Sequence, residues 1–131
     1  MSMHSDRRII TTADAPPPAG TYSQAVCAGG LVHVAGQTPR LPDGTRLNNA
    51  PFESQARQTL ANVEAIARAA GSALAEAAFC TVYLTDIEQR GVFDSIWGEF
   101  VGAVPPSRAI VQSNLPGFSV EVTAVLPCRC A

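Results

Sequence analysis

The stretch between Pro51 and Thr85 restricts the fold of this chain more than any other, because its apolar spacing changes from one regular period to another. From Pro51 to Ala70, apolar residues recur every three to four positions, which predicts an amphipathic helix that ends at Gly71. From Phe79 to Thr85, successive residues fall into two alternating sets, which predicts a strand with two different faces. A helix next to such a strand indicates a domain in which helices cover a β-sheet.

The remaining elements give the order β-β-β-α-β-α-β-β. The Gly29-Gly30 pair between two strand-like runs predicts a hairpin, and Asp86 can cap a second helix. We expect an α+β fold, with one mixed β-sheet and two helices packed on one face. We place Arg108 and Glu121 among apolar neighbours on the other face, which then needs a partner such as a symmetric oligomer supplies. The predicted strands span residues 9–12, 22–28, 31–35, 79–85, 108–113 and 119–126, and the helices span residues 51–70 and the stretch from Asp86 to the Pro105-Pro106 pair.

The length of 131 residues fits one domain. We expect residues 1–8 to be a disordered leader, residues 9–127 to form the domain and residues 128–131 to be a C-terminal tail. No apolar run approaches the length of a membrane span, and the polar start has no signal-peptide core. We therefore expect a cytoplasmic protein that does not engage a membrane.

The charged residues argue against a nucleic-acid partner. The net charge is −2, and all nine basic residues are arginines scattered along the chain, so no basic stripe is visible. The absence of lysine excludes Schiff-base chemistry on a side-chain amine. Because 47% of the residues are hydrophobic and only 15% are charged, we expect part of the surface to be buried in a subunit contact.

The cysteines and histidines do not form a pattern typical of a metal site. No CxxC pair occurs, and both histidines are far in sequence from Cys128 and Cys130, so we expect no metal. We interpret Cys27 and Cys80 as buried strand thiols, and Cys128 and Cys130 as part of an exposed, oxidisable tail. A disulfide is not expected in the cytoplasm.

Two charged side chains interrupt otherwise apolar strands. Arg108 opens one such run and Glu121 lies within the last strand, and a charge there is costly unless it is paired or hydrated. The two side chains could pair with each other, or Arg108 could simply end a strand in solvent. Alternatively, Arg108 grips a ligand carboxylate through two parallel hydrogen bonds, and Glu121 accepts a proton from an attacking water.

Several short segments follow one another in a distinctive order, including a proline-rich turn, a Gly-Gln step after a strand and a Pro-Ser-Arg motif. They are residues 15–26 (APPPAGTYSQAV), 34–37 (VAGQ), 62–66 with 69–71 (NVEAI and AAG), 83–86 (YLTD), 106–108 (PSR), and 115–116 with 120–122 (LP and VEV). In this order they resemble the signature blocks of the RidA/YjgF family, and the resemblance covers residues 9–127.

The resemblance implies a chorismate-mutase-like (YjgF-like) fold and a homotrimer with clefts between subunits. It implies hydrolytic deamination of reactive enamine or imine acids, of the 2-aminoacrylate/2-iminopropanoate type, to a keto acid and ammonia without a cofactor. By the same match, Arg108 binds the substrate carboxylate and Glu121 positions or activates the water. Tyr22 lines the cleft, and Gly36 with Gln37 shapes its floor.

Three positions of the expected cleft wall depart from the family pattern. Ala35 replaces the usual serine, Ile110 replaces a cysteine, and Asp94 replaces an asparagine on the second helix. These changes leave the carboxylate grip of Arg108 intact but alter the cleft wall, which leaves a substrate other than 2-iminopropanoate open. The stretch between Arg108 and Glu121 is also short, and a slip of one residue would turn Glu121 to the other face.

Three functions remain open. The first is a broad imine deaminase, and the second is a pathway-specific enamine deaminase for an aminomuconate-like substrate, which the less polar Ala35 and Ile110 favour. The third is a non-catalytic trimer that binds small carboxylates or protects other proteins. An older label for the family, endoribonuclease or translation inhibitor, fits poorly with the net charge of −2 and the lack of lysine.

Overall fold

The structure is a computed structural model that describes residues 7–128. It has the predicted order of six strands and two α-helices, with short 3-10 helices at Leu74–Glu76 and Ile87–Gln89. The helices are α1 (Phe52–Ala69) and α2 (Arg90–Val101), and the strands are β1 (Arg8–Ile10), β2 (Ala25–Ala28), β3 (Leu31–Gln37), β4 (Phe79–Leu84), β5 (Ser107–Gln112) and β6 (Val120–Pro127).

All six strands form one sheet in the order β1-β2-β3-β6-β4-β5. Neighbours are antiparallel except β4 and β5, which are parallel because α2 lies between them in the chain and carries it back across the sheet. This arrangement confirms the predicted mixed sheet. It also places β5 at one edge, with β6 near the centre.

The core lies between one face of the sheet and the two helices. Alternate strand residues such as Val82 and Val122 have no exposed surface, and neither do Leu60 and Val63 of the predicted α1 stripe. Helix α1 ends where Gly71 adopts a positive φ of 77°, a conformation that a side chain would disfavour. The predicted position of both helices on one face is confirmed.

The opposite face of the sheet, here called the open face, carries no helix of the described chain. Its side chains alternate with the buried ones and include several large apolar residues. Ile9 is 50% exposed, Phe79 42% and Val111 43%. So much apolar surface on a regular sheet is typical of a face that another molecule covers. A trimer stays a prediction.

The prediction for Arg108 was wrong in one respect, whereas that for Glu121 was right. The register pairs Arg108 with Cys80, which is fully buried under the helices, so Arg108 lies on the helix-covered face. Glu121 alternates with the buried Val120 and Val122 and therefore lies on the open face. Arg108 is tolerated on the covered face because β5 is an edge strand, where the helices leave room for a polar side chain.

The cysteine prediction is corrected as well. Cys27 and Cys80 are buried as expected, but Cys27 forms a disulfide with Cys128, and their Cα atoms are 6.4 Å apart. The backbone N–H of Cys128 donates to the carbonyl of Gly30, which brings the end of β6 to the β2–β3 turn. The last described residue is therefore tied to the sheet.

The ends of the chain limit two further predictions. Most of the predicted leader and tail, including Cys130, lies outside the described residues, although Arg8 already belongs to β1. Neither helix of the described part combines the length and apolarity that a membrane crossing requires. Between residues 7 and 128 there is no group of three or more His, Cys, Asp or Glu side chains that could hold a metal ion.

Candidate functional site

The guanidinium of Arg108 is held against α2 by two contacts. Its Nη1 donates to Oδ1 of Asp94 at 2.8 Å, and its Cζ lies 5.3 Å from the centre of the Trp97 ring. Asp94 and Trp97 are three residues apart on α2 and therefore share one helix face. The Arg108 side chain is 23% exposed, so the group is ordered by its contacts and still reaches solvent.

The other donors of Arg108 remain available to a ligand. Neither Nη2 nor Nε hydrogen-bonds to any residue that the structure describes. The group borders an open depression of about 290 Å³, which we call the arginine half-site. A planar anion can approach the two unused donors side by side. The half-site is lined by Asp94, Trp97, Pro105, Pro106 and Arg108.

Neighbouring side chains limit the chemistry of this half-site. Ile110 follows Arg108 by two residues, lies on the same sheet face and packs against the core. Burial raises the pKa of the Cys80 thiol to about 12, although the nearby Arg108 opposes this rise. The thiol is therefore neutral and poorly suited to nucleophilic chemistry.

Glu121 forms a second half-site on the open face, close to the end of β3. A β-bulge between Val34 and Gln37 interrupts the pairing of β3 with β6 there. A Cβ atom at Gly36 would overlap Oε2 of Glu121 and lie 3.0 Å from its Cδ, so any larger residue there would force the carboxylate to move. Glu121 and Gly36 together are called the glutamate half-site.

The Glu121 carboxyl is suited to act as a base. It has no hydrogen bond or ion pair with another residue between 7 and 128. Burial raises the pKa of Glu121 above its usual value. An unpaired carboxylate with a raised pKa binds a proton more readily than an exposed one, as proton abstraction from water requires.

Tyr22, Ala35 and Gln37 lie near Gly36, and each makes a different contact. Tyr22 is 45% exposed, its hydroxyl accepts a hydrogen bond from the backbone N–H of Ala19 at 2.9 Å, and with Ala35 it lines an open groove of about 770 Å³. Gln37 is buried, and its Nε2 donates to the carbonyl of Ala35 at 3.3 Å. Gly36 thus makes room for Glu121, while Gln37 fixes the backbone beside it.

One protomer does not bring the two half-sites together. Arg108 and Glu121 lie on opposite faces of the sheet, on strands separated by β4. Two strand spacings amount to about 10 Å, and the three-residue offset from Cys80 to Tyr83 on β4 adds about 10 Å along the strands. A small keto acid cannot span this distance, and the ion pair considered between Arg108 and Glu121 is not formed.

Sequence reasoning missed the part that Trp97 plays. Its place in the apolar stripe of α2 predicts a buried residue, and it is 4% exposed, yet the same ring also lies against Arg108. The spacing of Asp94 and Trp97 was the available signal, because a carboxylate and an aromatic ring on one helix face suit a guanidinium.

Comparison with known proteins connects this geometry to a family. The sequence profile described as endoribonuclease L-PSP matches residues 12–127. A RutC family protein of Pyrococcus horikoshii is 36% identical over 121 residues, covering 91% of this chain and 96% of that protein. The human 2-iminobutanoate/2-iminopropanoate deaminase is 34% identical over 121 residues, covering 91% and 88% of the two chains.

The solved structures agree with this match. The crystal structure of TdcF from E. coli with bound serine has a TM-score of 0.84 and 33% sequence identity, covering 92% of this chain and 98% of TdcF. The similarity in sequence and in fold extends over nearly the whole domain. The chain therefore belongs to the endoribonuclease L-PSP family, also called the RidA/YjgF/RutC family.

Proposed function

We propose that this protein hydrolyses small imine or enamine acids to keto acids and ammonia. The observation that carries the proposal is the guanidinium of Arg108, which is ordered by Asp94 and Trp97, lines an open depression and keeps two donors without a partner among the described residues. The activity named for the human relative supports the same reaction type. The unpaired Glu121, whose pKa is raised by burial, supplies a base.

The proposed reaction is a hydrolysis, with proton transfers and no oxidation or reduction. Nη2 and Nε of Arg108 bind the substrate carboxylate. Glu121 takes a proton from a water molecule, whose oxygen bonds to the carbon of the protonated imine as the C=N π electrons move to nitrogen. The protonated Glu121 gives that proton to the nitrogen of the carbinolamine, and the C–N bond breaks. The hydroxyl proton passes to the Glu121 carboxylate as the C=O bond forms and ammonia leaves. Holding the acid and the water in position provides much of the acceleration.

The complete site in this proposal lies between two copies of the chain. Within one protomer the half-sites are too far apart for one small acid, so Arg108 of one copy must meet Glu121 of another. The apolar open face, with Phe79 and Val111 exposed, supports such an assembly. The homotrimer and its inter-subunit clefts are proposed from the family resemblance.

A second candidate function is binding of small carboxylates without turnover. Within one protomer Arg108 can hold an acid without Glu121, because the two side chains lie on opposite faces of the sheet. TdcF, which shares the fold, has been crystallised with bound serine, an amino acid that carries a carboxylate. The wild-type rate on an imine acid separates the two functions.

The assay forms the imine in place with an amino-acid dehydratase and follows the appearance of the keto acid. Arg108→Ala removes the carboxylate grip, and Arg68→Ala is the matched control, because among the described residues the Arg68 side chain pairs only with Glu64 on the surface of α1. We expect acceleration above the uncatalysed rate that Arg108→Ala abolishes and Arg68→Ala leaves unchanged. Carboxylate binding without acceleration on imines of any length would favour the second function, and acceleration confined to longer enamines would indicate a pathway-specific deaminase.

A further inference from the structure

Arg40 and Arg46 form a pair of neighbouring cations without acidic partners. Their backbones face each other in an isolated β-bridge, which sets the two side chains side by side. Neither forms an ion pair with any residue of the described chain, in contrast to Arg57, Arg68 and Arg108. Like charges on facing residues repel each other, and an anion bound between them would offset that repulsion.

Arg40 also has a polar atom that is buried without a partner. Its Nη2 donates to the carbonyl of Pro17 at 3.1 Å, but its Nε is shielded from solvent and makes no hydrogen bond. Unpaired buried donors are rare because they lose water without a replacement. The bond to Pro17 gives one nitrogen of Arg40 a hydrogen-bond partner. It leaves Nε of Arg40 and the neighbouring Arg46 side chain without one among the described residues.

Both arginines line a small pocket beside the glutamate half-site. The pocket has a volume of about 120 Å³, and no carboxylate side chain lines it. This is the volume of about four water molecules, enough for a carboxylate or a similar oxyanion. Its walls include Tyr22, Gly36 and Gln37, so it adjoins the same part of β3 that admits Glu121.

Helix α1 fixes the backbone on which Arg40 stands. The fully buried Asn62 donates from its Nδ2 to the carbonyl of Thr38 at 3.1 Å and to that of Arg40 at 2.8 Å. Gln58 donates in turn to Oδ1 of Asn62 at 2.8 Å. A buried amide with all these partners holds the segment in place before a ligand arrives, which lowers the entropy cost of binding.

We propose that the pocket between Arg40 and Arg46 binds a second carboxylate of the ligand, so that this protein acts on imine acids with two acidic groups. The assignment of the ligand rests on the proposed function, because the first carboxylate is the one bound by Arg108 of a neighbouring copy. The paired guanidiniums supply the positive charge, and the buried Nε of Arg40 is a donor that no described residue satisfies.

Calorimetric titration of the full chain tests this assignment. The ligands are 2-oxobutanoate with one carboxylate, 2-oxopentanedioate with two, and inorganic phosphate. We expect the dicarboxylate to bind the wild type at least about tenfold more tightly than the monocarboxylate, the gain typical of one added charge-assisted contact. Arg40→Gln and Arg46→Gln should remove this gain, whereas Arg68→Gln should retain it.

The use of two pocket variants distinguishes loss of the binding pocket from loss of folding. Arg40→Gln also breaks the bond to Pro17, but Arg46 makes no side-chain hydrogen bond within residues 7–128, so Arg46→Gln changes little besides charge. Equal binding of the two keto acids by the wild type would overturn the proposal. A preference for the dicarboxylate over the monocarboxylate that survives in both variants would also overturn it. The same holds for phosphate binding that depends on Arg46 while the wild type shows no preference for the dicarboxylate.

The variant Arg108→Gln distinguishes a failure of this proposal from a failure of the proposed function. If Arg108→Gln weakens the binding of both keto acids while Arg46→Gln weakens the binding of the dicarboxylate alone, both proposals stand. If Arg108→Gln changes neither affinity while Arg46→Gln still weakens the binding of the dicarboxylate, the pocket between Arg40 and Arg46 is supported and the role proposed for Arg108 fails.

Discussion

The carboxylate of Asp94 accepts a hydrogen bond from Nη1 of Arg108 at 2.8 Å, and it does so at the mouth of the depression into which a ligand acid must fit. Asp94 thus orders the guanidinium and also places a negative charge next to the proposed carboxylate position. The Asp94 side chain is 63% exposed, so solvent weakens this repulsion without removing it.

Replacing Asp94 by asparagine should strengthen carboxylate binding. Asp94→Asn keeps a hydrogen-bond acceptor for Arg108 and removes the competing charge, and we expect the affinity for 2-oxobutanoate to rise about two- to fivefold, the range for a partly exposed charge pair. Calorimetry measures the change, with the exposed Glu88→Gln as the charge control. Weaker binding in Asp94→Asn would mean that the carboxylate aids the ligand.

The pH dependence of the reaction should report Glu121. Because burial raises the pKa of this carboxyl, the base loses its proton at a higher pH than an ordinary glutamate does. The acidic limb of kcat/KM should therefore be shifted upward in pH, and Glu121→Gln should lower kcat and abolish the limb. An unchanged profile in Glu121→Gln would assign the proton transfer to another group.

The same shift has a consequence for stability with a defined sign. A carboxyl whose folded-state pKa is raised favours the folded state while it is protonated, and that contribution is lost as the pH rises through its folded-state pKa. Glu121→Gln, which cannot ionise, should therefore be at least as stable as the wild type at neutral pH. Denaturant unfolding at several pH values measures the difference, and a markedly less stable variant would show that the ionised carboxylate is stabilised by contacts in the assembly.

Trp97 should act as a built-in reporter of the arginine half-site. It is the only tryptophan of the chain, and its ring lies against the Arg108 guanidinium. A carboxylate that binds Arg108 alters the field at the indole, so titration with 2-oxobutanoate should change the tryptophan emission with saturation. The change should disappear in Arg108→Gln and persist in Arg68→Gln. Saturating emission changes in Arg108→Gln would place the acid elsewhere.

The disulfide between Cys27 and Cys128 should contribute to stability. The two residues are 101 positions apart, so the bond restricts most of the unfolded chain. Reduction should lower the free energy of unfolding by about 2–4 kcal/mol, the usual range for a native disulfide. Denaturant titration with and without dithiothreitol measures this, and Cys128→Ser should be insensitive to the reductant. A wild type equally stable under both conditions would contradict the prediction.

Regular periodicity made most of the fold predictable from sequence. The α1 stripe and the alternation of Val120 and Val122 around Glu121 identify their faces locally, and both predictions are confirmed. The face of Arg108 was not predictable in this way, because β5 is a half-exposed edge strand without a clear alternation. Its face depends on the register with Cys80, which no local pattern contains.

The interactions missed by sequence analysis join residues that are distant in the chain. The Cys27–Cys128 disulfide depends on the end of β6 meeting the β2–β3 turn, and the pairing of Arg108 with Asp94 depends on how α2 crosses the sheet. The family resemblance singled out the individual residues of the candidate site. Their division between two faces of the sheet emerged only from the strand register.

A mixed-oligomer assay tests the central claim, that Arg108 of one copy works with Glu121 of another. Arg108→Ala and Glu121→Gln chains are each expected to be inactive, and are co-refolded in equal amounts. Random assembly gives about one site in four an intact Arg108 and an intact Glu121 from different chains, so about a quarter of the wild-type deaminase rate should return. A mixture that stays as inactive as the separate variants, although mixed oligomers have formed, would contradict the account.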